Sequence, residues 1–130
     1  MTLIRQSWGR DNPIARQMIT SLFMPDANQE ESTWFNDFQK ASGPGENMAH
    51  YRELFDYIDV TDCLSEIDIP TLVIQSTGDS IAPLSEAKLI ASKIDEAKLV
   101  TLNSNNHMVF RNEPGFQRLI DSVRNFLRTE

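Results

Sequence analysis

Two short β-branched runs stand on either side of an amphipathic stretch of helical length, and no other feature restricts the fold as much. The first run is Thr71-Leu72-Val73-Ile74-Gln75 and the second is Lys98-Leu99-Val100-Thr101-Leu102. The first, short and nearly continuous in its apolar character, reads as a strand buried on both faces, the pattern of a parallel sheet. Pro70 suits its leading position, where the missing N–H costs no ladder bond. Between the runs, Leu84, Ala87, Leu89, Ile90, Ala91 and Ile94 recur at helical spacing. Two strands joined through a helix must lie parallel, because a hairpin connection is excluded. Glu113-Pro114 then opens a last helix whose face is Phe116, Leu119, Ile120, Val123, Phe126 and Leu127. Residues 67–130 therefore predict strand, helix, strand, helix, an α/β arrangement.

Residues 1–66 have a different character and predict helices alone. Asn12 offers an N-cap and Pro13 a first helical position. Ile14, Met18 and Leu22, with Ala15, Ile19 and Phe23, then form one stripe. Pro25-Asp26-Ala27-Asn28 ends that helix. A second begins with Gln29, Glu30 and Glu31, where negative charge suits the helix dipole, and its expected apolar face is Trp34, Phe35, Phe38 and Ala41. Ser42-Gly43-Pro44-Gly45 is a strong stop. A third helix carries Met48, Tyr51, Phe55 and Ile58, and 59–64 reads as a turn into a short helix. The expected division is thus a helical segment, 1–66, and a strand–helix–strand–helix segment, 67–130.

The net charge of −7 argues against nucleic acid or an anionic membrane as a partner, since both need a positive field. The single cysteine, Cys63, cannot form an intramolecular disulfide and reads as a buried thiol in a reducing compartment, hence a cytoplasmic setting. No apolar run reaches the length of a membrane span. Neither a metal nor a cofactor is expected: His50 and His107 are the only histidines, and zinc wants three or four ligands.

Asp79 and His107 both fall just past the C-terminal end of an expected parallel strand, where the ligands and catalytic groups of open α/β sheets gather. A carboxylate beside an imidazole fixes its tautomer and stabilises its cation, as a general base requires. Each residue also has a plainer reading. Gly-Asp after a strand is a common turn in which the aspartate bonds its own backbone, and a loop histidine is often only solvated. His50 reads as solvated or capping, and the acidic group Asp26, Glu30 and Glu31 as a helix start.

The stretch Ile69-Pro70-Thr71-Leu72-Val73-Ile74 through Gly78-Asp79-Ser80-Ile81-Ala82-Pro83 resembles the acid-bearing strand and loop of α/β-hydrolases. In that family the catalytic histidine follows after one further strand, and here 28 residues separate Asp79 from His107. The first half is similar to a narrower group. Trp8-Gly9-Arg10-Asp11-Asn12-Pro13 with Arg16-Gln17-Met18, then Phe35-Asn36-Asp37-Phe38-Gln39, resembles the cap segment of hydrolase-like domains attached to bacterial LuxR-type transcriptional regulators and adenylate cyclases. Asp59-Val60-Thr61-Asp62 and Asn106-His107 extend that likeness. The resemblance implies a partial α/β-hydrolase fold: a helical cap followed by the last two strands of the core. It implies Asp79 as triad acid and His107 as general base, with Trp34, Phe38, Ile81 and Met108 lining a substrate or ligand pocket.

The family's nucleophile sits in a Gly-x-Ser-x-Gly elbow upstream of the cap, and no such motif occurs in this sequence. Gly43-Pro44-Gly45 lies between helices, and Ser104 lies in the histidine loop. Three functions stay open at this point. The chain is the C-terminal part of a serine hydrolase acting on ester- or amide-type bonds and inactive alone; or a small-molecule-sensing domain of a regulator; or an interaction domain. In every case the cut sheet implies self-association, or an N-terminal hydrolase portion that completes it.

Overall fold

The computed structural model describes residues 2–128. Its elements are α1 (Thr2–Ser7), α2 (Ile14–Phe23), α3 (Gln29–Ser42), α4 (Gly45–Phe55), a 3₁₀ turn (Thr61–Glu66), β1 (Leu72–Ser76), α5 (Leu84–Lys93), β2 (Lys98–Leu102) and α6 (Pro114–Arg128). They group into two compact units, 1–59 and 60–130.

The first unit is helical, with α1 packed on α4 and α2, and α2 on α3. Its apolar centre is Ile4, Trp8, Ala15 and Ala49, flanked by Ile19 and Met48. The Trp8 indole is 1% exposed and donates Nε1–H to the Gly43 carbonyl at 3.0 Å. Gly45 opens α4 where a Cβ would come within 2.7 Å of Trp8 Cβ and 2.9 Å of the Ile4 carbonyl, so this close crossing requires glycine. Asn28 caps α3 through a reciprocal box: its side chain accepts from the Glu31 amide and the Glu31 carboxylate accepts from the Asn28 amide, both at 2.9 Å.

The helical faces differ from the periodicity reading. In α2 Ala15 is buried, but Ile14, Met18 and Leu22 are exposed, and the inward face continues through Arg16 and Thr20. In α3 the buried residues are Phe35, Asn36 and Gln39, whereas Trp34, Phe38 and Ala41 face solvent. The cause is a polar seam between the two helices. Thr20 Oγ1 donates to Asn36 Oδ1 at 2.7 Å, Asn36 Nδ2 to Gln17 Oε1 at 2.7 Å, and Gln39 Nε2 to Thr20 Oγ1 at 2.9 Å. The Arg16 guanidinium donates to the carbonyls of Trp8 and Arg10. Polar side chains that bond one another can be buried at reduced cost, and here, with only Arg16 Nε and Gln39 Oε1 left without a partner among the described residues, they turn part of the apolar stripe outward. In α4 only Ala49 is buried; Tyr51 and Phe55 are exposed, and Ile58 lies beyond the helix. Asn12 Oδ1 accepts from the Ile14 amide at 3.2 Å, and Pro13 stands at the cap, one residue earlier than its expected place.

The second unit carries β1 and β2 as a parallel pair, in register from Leu72 opposite Lys98 to Ser76 opposite Leu102. Helices α5 and α6 each pack on both strands. The sequence reading buries β1 on both faces. Instead Leu72, Val73, Ile74 and Gln75 are half-buried and only Ser76 is buried. The sheet has two strands among the described residues, so each strand keeps one edge without a ladder partner. Cys63, expected inside, is exposed on the 3₁₀ turn. No helix among the described residues is long and apolar enough to cross a membrane.

Candidate active site

Because β1 and β2 are parallel and in register, both end at the same rung, Ser76 opposite Leu102. The loops that follow therefore leave side by side, and backbone bonds lace them together. The Thr77 amide donates to the Leu102 carbonyl at 3.0 Å and the Gly78 amide to the Ser104 carbonyl at 3.0 Å. A Cβ on Gly78 would collide with the Asn105 side chain. Glycine is needed there because the second loop passes directly over the first.

This lacing brings Asp79 and His107 together. Asp79 Oδ2 lies 2.7 Å from His107 Nδ1 and also accepts from Gln75 Nε2 at 2.8 Å. Asp79 Oδ1 accepts from the amides of Ile81 at 2.8 Å and Ala82 at 3.2 Å. The turn contacts and the imidazole contact of Asp79 thus coexist, one on each oxygen. The Asp79 side chain is 2% exposed and that of His107 is 37% exposed. Burial pushes the Asp79 carboxyl up, but the bonds from His107, from the Ala82 and Ile81 amides and from Gln75 outweigh it and hold the group below the ordinary aspartate value. A carboxylate accepting from Nδ1–H leaves Nε2 as the ring's proton acceptor. An imidazole held in this way has the orientation that general-base chemistry requires.

A small cleft of about 160 Å³ runs beside the pair, walled by Ile74, Ser76, Leu102, His107, Val109 and Leu119. A larger hollow of about 550 Å³ lies among Ile67, Asp68, Ile69, Asp95, Glu96 and Phe126, near the N-terminal ends of the strands. Ligands of open α/β sheets bind at the opposite, C-terminal ends, so the smaller cleft is the better candidate. Among the described residues no group of three or more His, Cys, Asp or Glu side chains is placed to hold a metal ion.

Of the other residues singled out from sequence, Ile81 contributes its amide to Asp79, and Met108 follows His107 in a half-buried position. Trp34 and Phe38 belong to the first unit, stacked at 5.8 Å and both about half exposed. His50 is exposed on α4. Ser104 donates its hydroxyl to Glu113 Oε2 at 2.5 Å. Three residues of the site had been passed over. Gln75 read as the end of a strand, Gly78 as a turn residue and Glu113 as a helix start. Gln75 carries a signal as an amide among aliphatics in a core strand, and Gly78 as half of the Gly-Asp pair.

A family profile described as alpha/beta hydrolase fold matches residues 1–114. Among solved structures, an esterase (EaEST) from Exiguobacterium antarcticum superposes with a TM-score of 0.78 at 16% identity, over 98% of this chain and 47% of that one. The esterase RhEst1 from Rhodococcus sp. ECU1013 superposes with a TM-score of 0.70 at 21% identity, again over 98% of this chain and 47% of that one. The chain therefore spans about half the length of these esterases. No curated protein sequence matches it. At such identities the superpositions speak for the fold. Together with the family match over most of the chain, they establish that the protein belongs to the alpha/beta hydrolase fold family.

Proposed function

We propose that this chain supplies the acid and the general base of a serine-hydrolase-type site, with Asp79 orienting His107 and His107 accepting the nucleophile's proton. The observation that carries this reading is the 2.7 Å contact between His107 Nδ1 and a buried Asp79 carboxylate at the C-terminal ends of two parallel strands. The two superposed structures are named as esterases, which favours an ester or related acyl bond as substrate. The nucleophile and oxyanion donors come from an N-terminal hydrolase portion that adds strands to the open edge of the sheet; self-association is the other way to cover that edge. Ile81 and Met108, near the pair in the chain, would line the pocket, and Trp34 and Phe38 would offer an aromatic surface to a small apolar ligand. The division proposed is 1–66 as cap and 67–130 as core, in a cytoplasmic protein without metal or cofactor.

The test is hydrolysis of a nitrophenyl ester and labelling by a fluorophosphonate probe, run on this chain and on the longest reading frame that contains it. The chain alone is expected to stay at background. The longer protein is expected to label at one serine and to lose turnover on His107→Ala. Stoichiometric labelling of a serine within this chain would overturn the division of roles.

A second reading is a ligand-sensing domain of a bacterial regulator or cyclase, favoured by the resemblance of residues 8–13 and 35–39 to such domains. A longer frame with no serine at the elbow would decide for it.

A further inference from the structure

Glu113 immediately precedes α6, and from there its carboxylate reaches back into the histidine loop. Oε2 accepts from Ser104 Oγ at 2.5 Å; Oε1 accepts from Asn106 Nδ2 at 3.0 Å and from the Phe110 amide at 2.6 Å. Ser104 Oγ in turn accepts from the Asn106 amide at 3.0 Å. One anion thus grips the chain on both sides of His107, and Asn106, its immediate neighbour, is 1% exposed. Hydrogen bonds to an ionised acceptor are the strong ones, and these add to the backbone bond that ties Ser104 to Gly78. We infer that Glu113 is a positioning residue for His107, holding the loop so that Nδ1 meets Asp79. This rests on the reading of Asp79 and His107 as an acid–base pair. Glu113 acts through the loop backbone and Asn106, not on substrate.

A merely structural helix-start role would stabilise α6 without changing the state of the His107 ring. The readout is therefore the far-downfield proton resonance of His107 Nδ1–H, with its exchange rate, in the intact chain. The native chain is expected to show it, and Asp79→Asn to abolish it. Glu113→Ala is expected to speed its exchange on the order of tenfold or more, the scale of a lost charge-assisted bond, while the β1 and β2 amides keep their shifts. Glu113→Gln keeps the Oε1 acceptor for Asn106 and Phe110 but loses the charge and the Oε2 acceptor, and its exchange is expected to fall between those of the native chain and Glu113→Ala. No such resonance in the native chain would overturn the pair itself. A resonance present in the native chain and unchanged in Glu113→Ala would overturn the Glu113 inference and leave the pair standing, as would a Glu113→Gln protein no slower than Glu113→Ala. Should Glu113→Ala fail to fold, Ser104→Ala removes one of Glu113's three bonds together with the Asn106 amide bond, and is expected to speed exchange by a smaller factor; native exchange there would equally overturn it.

Discussion

Asp79 divides its carboxylate, giving Oδ2 to His107 at 2.7 Å and Oδ1 to the Ile81 and Ala82 amides. The backbone bonds fix where the acid stands, and this leaves the other oxygen, steadied by Gln75, to orient the imidazole. One aspartate thus both shapes the turn and holds the imidazole.

The first expectation concerns acid. The Asp79 carboxyl is held below its ordinary value, so the unfolded chain binds the proton more readily. Its contribution to stability is therefore complete above about 3.9, the unfolded value, and is lost as pH falls through the lower folded one. Urea midpoints of the native chain and Asp79→Asn should differ most near neutrality and converge as pH falls below about 4. A gap that stays constant into strong acid would refute this.

Gly78→Ala should be costly, because its methyl group meets the Asn105 side chain and the loops cannot separate without losing the Gly78–Ser104 bond. A loss of about 1–3 kcal/mol is expected from denaturant unfolding. Gly9→Ala, with nothing near its Cβ, is the control and should stay within about 0.5 kcal/mol.

In the helical unit, Trp8→Ala should cost about 3–5 kcal/mol, since the ring is wholly buried. Trp8→Phe keeps most of the bulk but strips the Gly43 carbonyl of its donor, for about 1–3 kcal/mol. Circular dichroism during denaturant unfolding reads both, and equal losses would mean that packing contributes nothing beyond the hydrogen bond.

Thr20→Val keeps the shape of a buried side chain but deprives Asn36 Oδ1 of its donor and Gln39 Nε2 of an acceptor. About 1–3 kcal/mol of destabilisation is expected by the same measurement, with Thr20→Ser much milder. A neutral Thr20→Val would show that the seam relaxes or admits water.

Asn28→Ala removes half of the reciprocal cap on α3 and should cost about 1 kcal/mol, with Asn28→Ser close to native. Thermal unfolding of the three proteins tests the ranking.

The second unit was largely legible in the sequence, and the reasons are local. Residues 98–102 form β2 as read, and β1 is shifted by one residue, because short apolar runs bounded by turn residues leave little choice. The helix between them forces parallel pairing, which puts Asp79 and His107 at one end of the sheet. The partners of Gln75 and Glu113 are not legible, although they lie within nine residues, because the path of the loops decides what each side chain meets. The helical faces of the first unit misled for another reason. Arg16, Thr20, Asn36 and Gln39 are polar and periodicity sends them outward, yet they point inward because each finds a hydrogen-bonding partner.

The rung at which β1 and β2 end also works as a gauge. Successive residues of a strand advance about 3.3 Å, more than the whole Asp79–His107 contact. A slip of β2 by one residue would keep the backbones paired and still part the acid from the base. The part of the crossover beyond Ala82 can therefore change length without parting Asp79 from His107. A single residue gained or lost between Ser76 and Asp79, or between Leu102 and His107, cannot.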